Sequence, residues 1–260
     1  MKKSSRNKLN RRFYEKLADY DLGLPESKKQ YNQKLFSPVS QVYANITGKL
    51  SFGRDKHWKK KLVSLLPEFD YTSILDIACG PGDLTFLLAD KYENADITGI
   101  DLNPDMLEEA RHNLEGTTCT VRERIHFAQG DMGRLGYSRP SFDLVTGGYA
   151  LRNAPDLEQT LKEIHRVLLP AGVAAFLDFS RSSGKIRSAL QTALLSFWGK
   201  LWGRIYHRNP EVYGYIAESL KHFPDNKSFC ALLEQSGFAI IEHIPRFAGL
   251  MHLTVVRKTS

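Results

Sequence analysis

Short apolar runs alternate with amphipathic helical segments through the middle of the chain, and this alternation constrains the fold more than any other feature. Such runs predict buried strands at 73–78, 96–101, 125–129, 142–147 and 173–179. Helical spacing intervenes at 84–91, 104–114 and 157–169. Strands that alternate with helices in this way form a parallel sheet covered on both faces.

The end of the chain has a different pattern. After helical patterns at 185–206 and 226–237, two further strands are predicted at 238–244 and 251–257. Only six residues join these strands, too few for a crossover helix, so the two strands must be antiparallel neighbours. We therefore predict an α/β fold with a Rossmann-like, doubly wound, mostly parallel sheet, an antiparallel C-terminal strand pair and helices on both faces.

Composition excludes several classes of protein. The 260 residues are 42% hydrophobic and 25% charged, which is ordinary for a soluble globular domain. No apolar run reaches the roughly 18 residues that span a bilayer. Three scattered cysteines are too few for a disulfide framework or a four-cysteine zinc site. We expect no metal site and a cytoplasmic location, with possible contact at the inner face of the membrane.

The net charge of +7 is concentrated near the N-terminus. Residues 1–34 hold ten Lys or Arg and four Asp or Glu, which gives this segment a charge of +6. Such a segment suits an anionic surface, nucleic acid or phospholipid, or it is a solvated, partly disordered tail. We predict a basic N-terminal extension over 1–35 and one domain over 36–260 with a helical cap segment near 181–215.

A glycine turn and an acid together indicate a nucleoside site. The first predicted strand leads into Cys79-Gly-Pro-Gly-Asp83, and such a turn lets a ligand approach the backbone closely. Asp101 follows Gly82 by 19 residues, at the end of the second strand, where a carboxylate accepts hydrogen bonds from ribose hydroxyls. Thr85 replaces the third glycine of the dinucleotide fingerprint, which argues against a dehydrogenase. The alternative is a turn with only a structural role.

Two stretches carry a resemblance to a known family. The sequence Asp76-Ile-Ala-Cys-Gly-Pro-Gly-Asp83, followed by Gly99-Ile-Asp101-Leu-Asn-Pro, resembles the first two motifs of class I S-adenosylmethionine-dependent methyltransferases. The resemblance implies S-adenosyl-L-methionine as cofactor, with the glycine turn against its methionine part and Asp131-Met132 against its adenine. The cofactor-binding residues that it implies are Asp76, Gly80, Pro81, Gly82, Asp101, Leu102, Asp131, Met132 and Gly148.

A narrower resemblance spans residues 40–252. Tyr43, Ser51-Phe-Gly53, Trp58-Lys59, Leu151-Arg-Asn153 and Ala217-Glu-Ser219 are similar to blocks of the C-methyltransferases of ubiquinone and menaquinone biosynthesis. This resemblance implies methyl transfer to a ring carbon of a polyprenyl quinol or a related aromatic lipid. The chain departs from the family pattern at Asp55-Lys56, where His-Arg is usual. Most departures from the family pattern fall outside the cofactor motifs, so they bear on the exact acceptor more than on the chemistry.

Methylation of a ring carbon requires an ionised hydroxyl on the quinol. With a phenol-like pKa of about 10, ionisation at pH 7 costs roughly 4 kcal/mol, which a cation or a base must supply. Arg152 and Asn153 are the favoured catalytic residues. The resemblance implies an arginine that activates water, but a guanidinium stays protonated near neutrality. We favour Arg152 as the cation that stabilises the hydroquinolate and Asn153 as the residue that fixes a hydroxyl or water.

Two of these residues have a structural alternative. The resemblance places Tyr43 near the acceptor, but an aromatic residue there could equally pack in the core. Arg152 could equally form a structural ion pair.

Segment 185–206 combines an apolar helical face with basic flanks. Ile186, Leu190, Ala193, Leu194, Phe197 and Leu201 share one face, which Trp198, Trp202 and Ile205 widen. Such a helix lies in a membrane interface with its tryptophans at headgroup depth. A polyprenyl substrate resides in the bilayer, so we expect peripheral membrane contact here. The alternative is a lid helix that packs this face onto the sheet.

Other functions remain open at this point. The basic N-terminal segment would suit a nucleic-acid methyltransferase, but no Asn-Pro-Pro-aromatic motif follows the fourth strand. A different small-molecule acceptor is another alternative. A third is a cofactor-binding assembly protein without catalysis, although the presence of both Asp101 and Arg152-Asn153 argues against it. An oligomer is compatible with the sequence.

Overall fold

A single sheet organises the computed structural model, which describes residues 16–51, 53–246 and 249–259. Its strands are β1 (Ser73–Ile77), β2 (Asp96–Asp101), β3 (Ile125–Gln129), β4 (Phe142–Gly148), β5 (Leu168–Phe179), β6 (Phe238–Arg246) and β7 (Met251–Lys258). Their order is β3-β2-β1-β4-β5-β7-β6. Strands β1 to β5 are parallel, whereas β7 is antiparallel to both β5 and β6. The predicted sheet and its antiparallel C-terminal pair are confirmed.

Ten α-helices accompany these strands in the described residues. They are α1 (Pro25–Phe36), α2 (Tyr43–Leu50), α3 (Asp55–Ser64), α4 (Asp83–Lys91), α5 (Pro104–Glu115), α6 (Cys119–Arg124), α7 (Leu157–Val167), α8 (Lys185–His207), α9 (Glu211–Lys221) and α10 (Asn226–Gln235). The side chain of Asn103 caps α5 by accepting hydrogen bonds from the N–H groups of Asp105 and Met106. Pro104 occupies the first turn, where its missing N–H has no cost.

The core lies on both sides of the sheet. Successive strand residues point to opposite faces. Ile74 and Leu144 pack with helices α3 and α4 in one cluster, while Leu75 and Val145 pack with α7 and α10 in another. Helices therefore cover both faces, as the strand–helix alternation predicted.

The structure differs from the sequence prediction between residues 16 and 36. Helix α1 lies within the segment predicted as an extension, and its Tyr31 is fully buried, 5.3 Å from the ring of Tyr215 on α9. Two other buried positions of α1 are the polar Lys28 and Asn32, so the helix has no clear apolar pattern in the sequence. The predicted boundary at residue 35 falls inside α1, and residues 1–15 lie outside the described residues.

Strand β5 begins at Leu168, earlier than the predicted start at residue 173. The turn expected at 170–172 is an irregularity inside the strand, where Ala171 has a φ of 60°. The pairing with β4 shifts register between Phe142 and Leu144 at the same place. A bulge of this kind admits residues that otherwise indicate a turn.

Helices α8 and α9 pack closely and occupy the segment predicted as a helical cap. A Cβ on Gly199 would lie 2.3 Å from the carbonyl oxygen of Tyr213, and one on Gly203 would lie 2.5 Å from that of Asn209. Glycine at these two positions lets the backbones approach each other. Over the described residues, no helix has both the length and the apolar content needed to cross a membrane.

Candidate active site

Two adjoining cavities lie at the carboxyl ends of the parallel strands, where α/β sheets bind ligands. The first, the strand-end cavity, has a volume of about 680 Å³. The second, the apolar cavity, has a volume of about 580 Å³. Phe36, Tyr43, Tyr149 and Asn153 line both cavities.

Most of the predicted site residues meet at these cavities. Those that line the strand-end cavity are Tyr43, Gly80, Asp101, Leu102, Asp131, Met132, Gly148 and Asn153. Arg152 lines the apolar cavity. Asp76, Pro81 and Gly82 are not among the lining residues of either cavity.

Asp101 ends β2 and holds the glycine turn in place. Its Oδ2 accepts the N–H of Gly80 at 2.9 Å, and its Oδ1 accepts the N–H of Asn103 at 2.8 Å. Burial raises the pKa of Asp101, and these backbone hydrogen bonds oppose that shift. An ionised carboxylate has about four acceptor sites, and these backbone hydrogen bonds leave part of that capacity unused. The side chain can therefore accept hydrogen bonds from ligand hydroxyls in the cavity.

The far side of the strand-end cavity combines a charged and an apolar surface. Lys29 of α1 places its Nζ 2.6 Å from Oδ2 of Asp131, whose Oδ1 accepts the N–H of Gly133 at 2.9 Å. Leu102 and Met132 lie beside this pair. An apolar surface next to hydrogen-bonding groups suits a planar nucleobase.

Asp76, a buried residue of β1, supports the glycine turn from inside the protein. Its carboxylate accepts hydrogen bonds from the hydroxyls of Thr85, at 2.7 Å, and Thr146, at 2.8 Å. Burial raises the pKa of Asp76 to about 6, although these two hydrogen bonds and the charge of Lys59 oppose the shift. Gly82 precedes α4 with a φ of 91°, which glycine adopts without strain. These residues shape the turn, and Gly80 is its member that lines the cavity.

Arg152 is buried at the wall of the apolar cavity. Its backbone N–H donates to Oδ2 of Asp178 at 2.9 Å, and its Nη1 donates to the hydroxyl of Ser219. The guanidinium also lies over the rings of Phe179 and Tyr215, at 5.3 Å and 5.7 Å from their centroids. The side chain forms the ion pair of the structural alternative and also borders the cavity, while its catalytic role stays a prediction.

Asn153 offers an unused acceptor to both cavities. Its Nδ2 donates to the carbonyl of Tyr149 at 2.8 Å, whereas its buried Oδ1 has no hydrogen-bond partner in the described part of the chain. A buried unsatisfied acceptor costs about 1–3 kcal/mol. A ligand hydroxyl could satisfy it.

Tyr43 stands where the two cavities meet. Its ring packs edge-on against Phe36 with centroids 6.4 Å apart, and a Cβ on Gly80 would lie 3.8 Å from it. Burial raises the pKa of Tyr43 well above the usual value, so the side chain is a neutral hydroxyl at physiological pH.

The sequence analysis missed the contribution of α1. Asn32, Gln33 and Phe36 line the strand-end cavity. Asn32 donates to the carbonyl of Asn153 at 2.8 Å, and Lys28 donates to that of Ala154 at 2.7 Å. The helix thus covers the site and is fastened to the loop after β4. No pattern in the sequence marks these contacts, because they join residues more than a hundred positions apart.

The sequence analysis also missed a pair of charged side chains at the hydroxyl of Tyr149. Its hydroxyl donates to Oδ1 of Asp55 at 2.7 Å, and Nζ of Lys59 lies 2.8 Å from Oδ2 of the same carboxylate. The sequence analysis noted Asp55 as a departure from the family pattern and Lys59 as a match to it, without connecting them. In the described residues, no group of three or more His, Cys, Asp or Glu side chains could hold a metal ion.

Comparison with known proteins finds a matching family model and similar relatives. The model of the ubiE/COQ5 methyltransferase family matches residues 25–257. The chain is 34% identical over 227 residues to the 2-phytyl-1,4-naphtoquinone methyltransferase of Thermosynechococcus vestitus, covering 87% of this chain and 98% of that protein. It is 29% identical over 238 residues to the demethylmenaquinone methyltransferase of Staphylococcus epidermidis, covering 90% and 97%.

Solved structures share the fold. The YcgJ protein from Bacillus subtilis superposes with a TM-score of 0.59 at 16% identity, covering 78% of this chain and 99% of that one. At this level of identity the likeness concerns the architecture alone.

Proposed function

We propose an acceptor for this chain, which belongs to the ubiE/COQ5 methyltransferase family and is an S-adenosylmethionine-dependent methyltransferase. The proposed acceptor is the ring carbon of a polyprenyl quinol or a related aromatic lipid, such as a ubiquinone or menaquinone precursor. One observation carries the proposal: the apolar cavity adjoins the strand-end cavity and has a buried cation, Arg152, in its wall. The quinone substrates named for the relatives support the same class of acceptor.

The strand-end cavity fits the cofactor. Asp101 presents carboxylate oxygens for ribose hydroxyls, Leu102 and Met132 present an apolar surface for adenine, and Gly80 and Gly148 leave room for the remainder. When bound, S-adenosyl-L-methionine supplies an electrophilic methyl group on a sulfonium. The chain's own task is to orient the acceptor against that group and to exclude water.

The apolar cavity provides what a quinol requires. Ile46, Leu50, Val212 and Ile216 line it with hydrocarbon, which suits a prenylated ring. In this low-dielectric setting the guanidinium of Arg152 stabilises an oxyanion far more than water-exposed charge would. The free Oδ1 of Asn153 accepts a hydrogen bond from the second hydroxyl of the quinol. Together with the contact to Arg152, this hydrogen bond fixes the orientation of the quinol ring.

We further propose that α8 carries the enzyme to its substrate by lying on an anionic bilayer surface. Its exposed apolar side chains are Ile186, Leu190, Leu194, Phe197, Leu201 and Ile205. Arg187, Lys200, Arg204 and Arg208 are exposed beside them, and residues 179–210 contain no Asp or Glu. An apolar stripe with cationic flanks matches a bilayer of anionic lipids. The lid alternative, in which this face packs onto the sheet, is not what the structure shows.

One part of the membrane expectation needs correction. The tryptophans do not lie on the exposed stripe. Trp202 is partly buried, with Nζ of Lys49 5.1 Å from its ring and the ring of Trp198 5.7 Å away. Trp202 therefore packs towards Lys49 of α2, and the aliphatic side chains and Phe197 form the surface that we propose to face the membrane.

Cosedimentation with vesicles tests the membrane contact. The wild-type protein should bind vesicles of phosphatidylglycerol and phosphatidylcholine at low salt and lose binding on Phe197→Asp. Phe69→Asp is the matched control, since Phe69 is 60% exposed on another surface. Equal binding by Phe197→Asp and wild type would contradict this contact.

Transfer of labelled methyl groups tests the acceptor. The protein, methyl-labelled cofactor and a short-chain 2-prenyl-1,4-naphthoquinol would be incubated with a reductant and then extracted into organic solvent. We expect label in the organic phase with the quinol and none with the oxidised quinone, which has no hydroxyl to ionise. Label that appears only in a nucleic-acid fraction added to the mixture would overturn the proposal.

A further inference from the structure

A chain of hydrogen bonds runs from the wall of the apolar cavity to the protein surface. It begins at Tyr149, whose hydroxyl donates to Asp55 at 2.7 Å. Asp55 contacts Lys59 at 2.8 Å, and Lys59 contacts Oδ2 of Asp83 at 2.9 Å. Tyr149 is buried, and the side chains of Asp55 and Lys59 are 10% and 6% exposed, whereas the side chain of Asp83 is 35% exposed. The buried end lines both cavities and the other end reaches solvent.

The backbone at Tyr149 is strained. This residue has a φ of 60°, a region that a non-glycine residue seldom adopts at a cost of about 1–3 kcal/mol. Its N–H donates to the carbonyl of Leu177 at 2.6 Å, and Nζ of Lys59 lies 5.8 Å from its ring centroid. A backbone conformation of this kind persists only where the surrounding structure fixes it. Here the surrounding contacts hold Tyr149 between the two cavities, with its hydroxyl on Asp55.

The acceptor's proton has few ways out of the apolar cavity. The residues that line it include no carboxylate and no imidazole in the part of the chain that the structure describes. Arg152 does reach the carboxylate of Asp178, but a guanidinium does not release its proton near neutral pH. Tyr149 reaches a carboxylate through a hydroxyl, which can accept one proton as it donates another.

Charges along the network favour this use. Burial raises the pKa of Tyr149 well above its usual value, and the charge of Asp55 adds to the rise, so the tyrosine stays neutral and acts as a relay. Burial would lower the pKa of Lys59, but the carboxylates of Asp55 and Asp83 outweigh it and raise that pKa. Lys59 therefore keeps its charge and compensates the two acids.

We propose that Tyr149 and Asp55 take the proton from the acceptor's hydroxyl, and that Lys59, held by Asp83, compensates the charge of Asp55 without giving up a proton. The inference rests on the proposed quinol acceptor. The hydroxyl proton binds Oη of Tyr149 as the tyrosine's own proton moves to Oδ1 of Asp55, which leaves an oxyanion beside Arg152. The ring carbon then bonds the methyl group as the methyl–sulfur bond breaks, and the electron pair of that bond stays on sulfur.

The remaining steps balance the reaction. The methylated ring carbon carries one hydrogen too many, and its proton moves to the oxygen, which restores the aromatic hydroxyl. Asp55 then returns its proton through the hydroxyl of Tyr149 to water that enters the cavity as the product leaves, and it regains its carboxylate form. Lys59 keeps its own protons throughout, because an ammonium group has no lone pair to accept another. One proton per turnover therefore leaves to solvent.

The test compares kcat for methylation of the naphthoquinol across pH 6 to 9. Tyr149→Phe and Asp55→Asn each preserve shape and should lower kcat about a hundredfold at pH 7, the usual range for loss of a general base. The defect should shrink as pH rises, because solvent takes over the proton. The double variant should be no slower than either single variant, since both residues lie on one path. Tyr71→Phe, another buried tyrosine but outside both cavities, is the matched control.

Each outcome decides the question. Retained kcat in Tyr149→Phe, or a loss equal at every pH, would overturn the relay and leave the quinol acceptor intact. Cofactor affinity and melting temperature, measured on the same samples, verify that the variants are folded and loaded. Wild-type protein that transfers no methyl group to the quinol would overturn the acceptor assignment and the relay with it.

Discussion

Nε of Arg152 lies 3.7 Å from Oδ1 of Asp178, and both side chains are almost fully buried. The pair joins the loop after β4 to the end of β5, next to the apolar cavity. Burial raises the pKa of Asp178, and the charge of Arg152 opposes that rise. The ion pair joins the two strand ends, and we propose that it also presents a cation to the acceptor.

These two roles can be separated by a double-mutant cycle. Arg152→Met leaves the carboxylate of Asp178 buried without its partner, and we expect a loss of about 3–5 kcal/mol in the free energy of unfolding. Asp178→Asn added to it should recover much of that stability. Turnover should stay at least about a hundredfold below wild type in both variants, because the oxyanion has lost its cation. Urea unfolding and methyl-transfer assays supply the two readouts. Turnover that returns along with stability would mean that Arg152 is structural.

Asp101 is expected to control cofactor affinity. Asp101→Asn removes the charge and one acceptor while leaving the side-chain shape, and hydrogen bonds to charged groups contribute about 1.5–3 kcal/mol. Affinity for S-adenosylhomocysteine, measured by calorimetry, should fall at least about tenfold. Asp96→Asn is the control, since Asp96 is exposed at the other end of the same strand. Equal affinity in both variants would remove Asp101 from the cofactor site.

Two helical glycines should respond oppositely to alanine. Nothing lies within 4 Å of a Cβ on Gly48 in α2, so Gly48→Ala should stabilise the protein by up to about 1 kcal/mol through helix propensity. In α8, a Cβ on Gly199 would meet the Tyr213 carbonyl at 2.3 Å. Gly199→Ala should therefore destabilise by about 1–3 kcal/mol by forcing the helices apart. Thermal melts of both variants provide the comparison, and a shared sign would argue against the tight α8–α9 contact.

His252 should make the fold sensitive to mild acid. Burial, followed by the charge of His243, lowers its pKa from 6.5 to about 3. Between pH 7.5 and 5.5 the imidazole of His252 binds a proton in the unfolded chain but stays neutral in the folded chain. The free energy of unfolding should therefore fall by about 1.4 kcal/mol as the pH falls over this range. His252→Leu should reduce that loss. His112→Asn should not, since its side chain is 76% exposed. Urea titrations at the two pH values measure the difference, and an unchanged pH dependence in His252→Leu would contradict the assignment.

Strands β4 and β5 could be predicted because their buried parts are nearly continuous apolar runs, as expected where helices bury both faces of a sheet. The glycine turn and Asp101 could be predicted because their spacing follows from the βαβ geometry. Helix α1 could not. Its buried Lys28 and Asn32 are polar side chains that donate to backbone carbonyls of the loop after β4. A pattern of hydrophobicity does not reveal positions buried for their hydrogen bonds.

The bond between Tyr149 and Asp55 was equally hidden, since 94 positions separate the two residues. The sequence marked Asp55 as unusual for its family, which is a signal that something differs there. Its partner becomes evident only when the residue after β4 meets the first turn of α3 in the fold.

Phe36, Tyr43, Tyr149 and Asn153 belong to both cavities, so the two spaces share a wall of side chains. A bisubstrate inhibitor could therefore join an adenosyl group to a prenylated ring with a short linker. Once one half of the inhibitor is bound, the other half is held near its own cavity at an effective concentration in the millimolar range or above. The linked inhibitor therefore binds more tightly than either half alone, without any new contact. Ligands that combine both halves should discriminate this enzyme from other proteins that bind the adenosyl group alone.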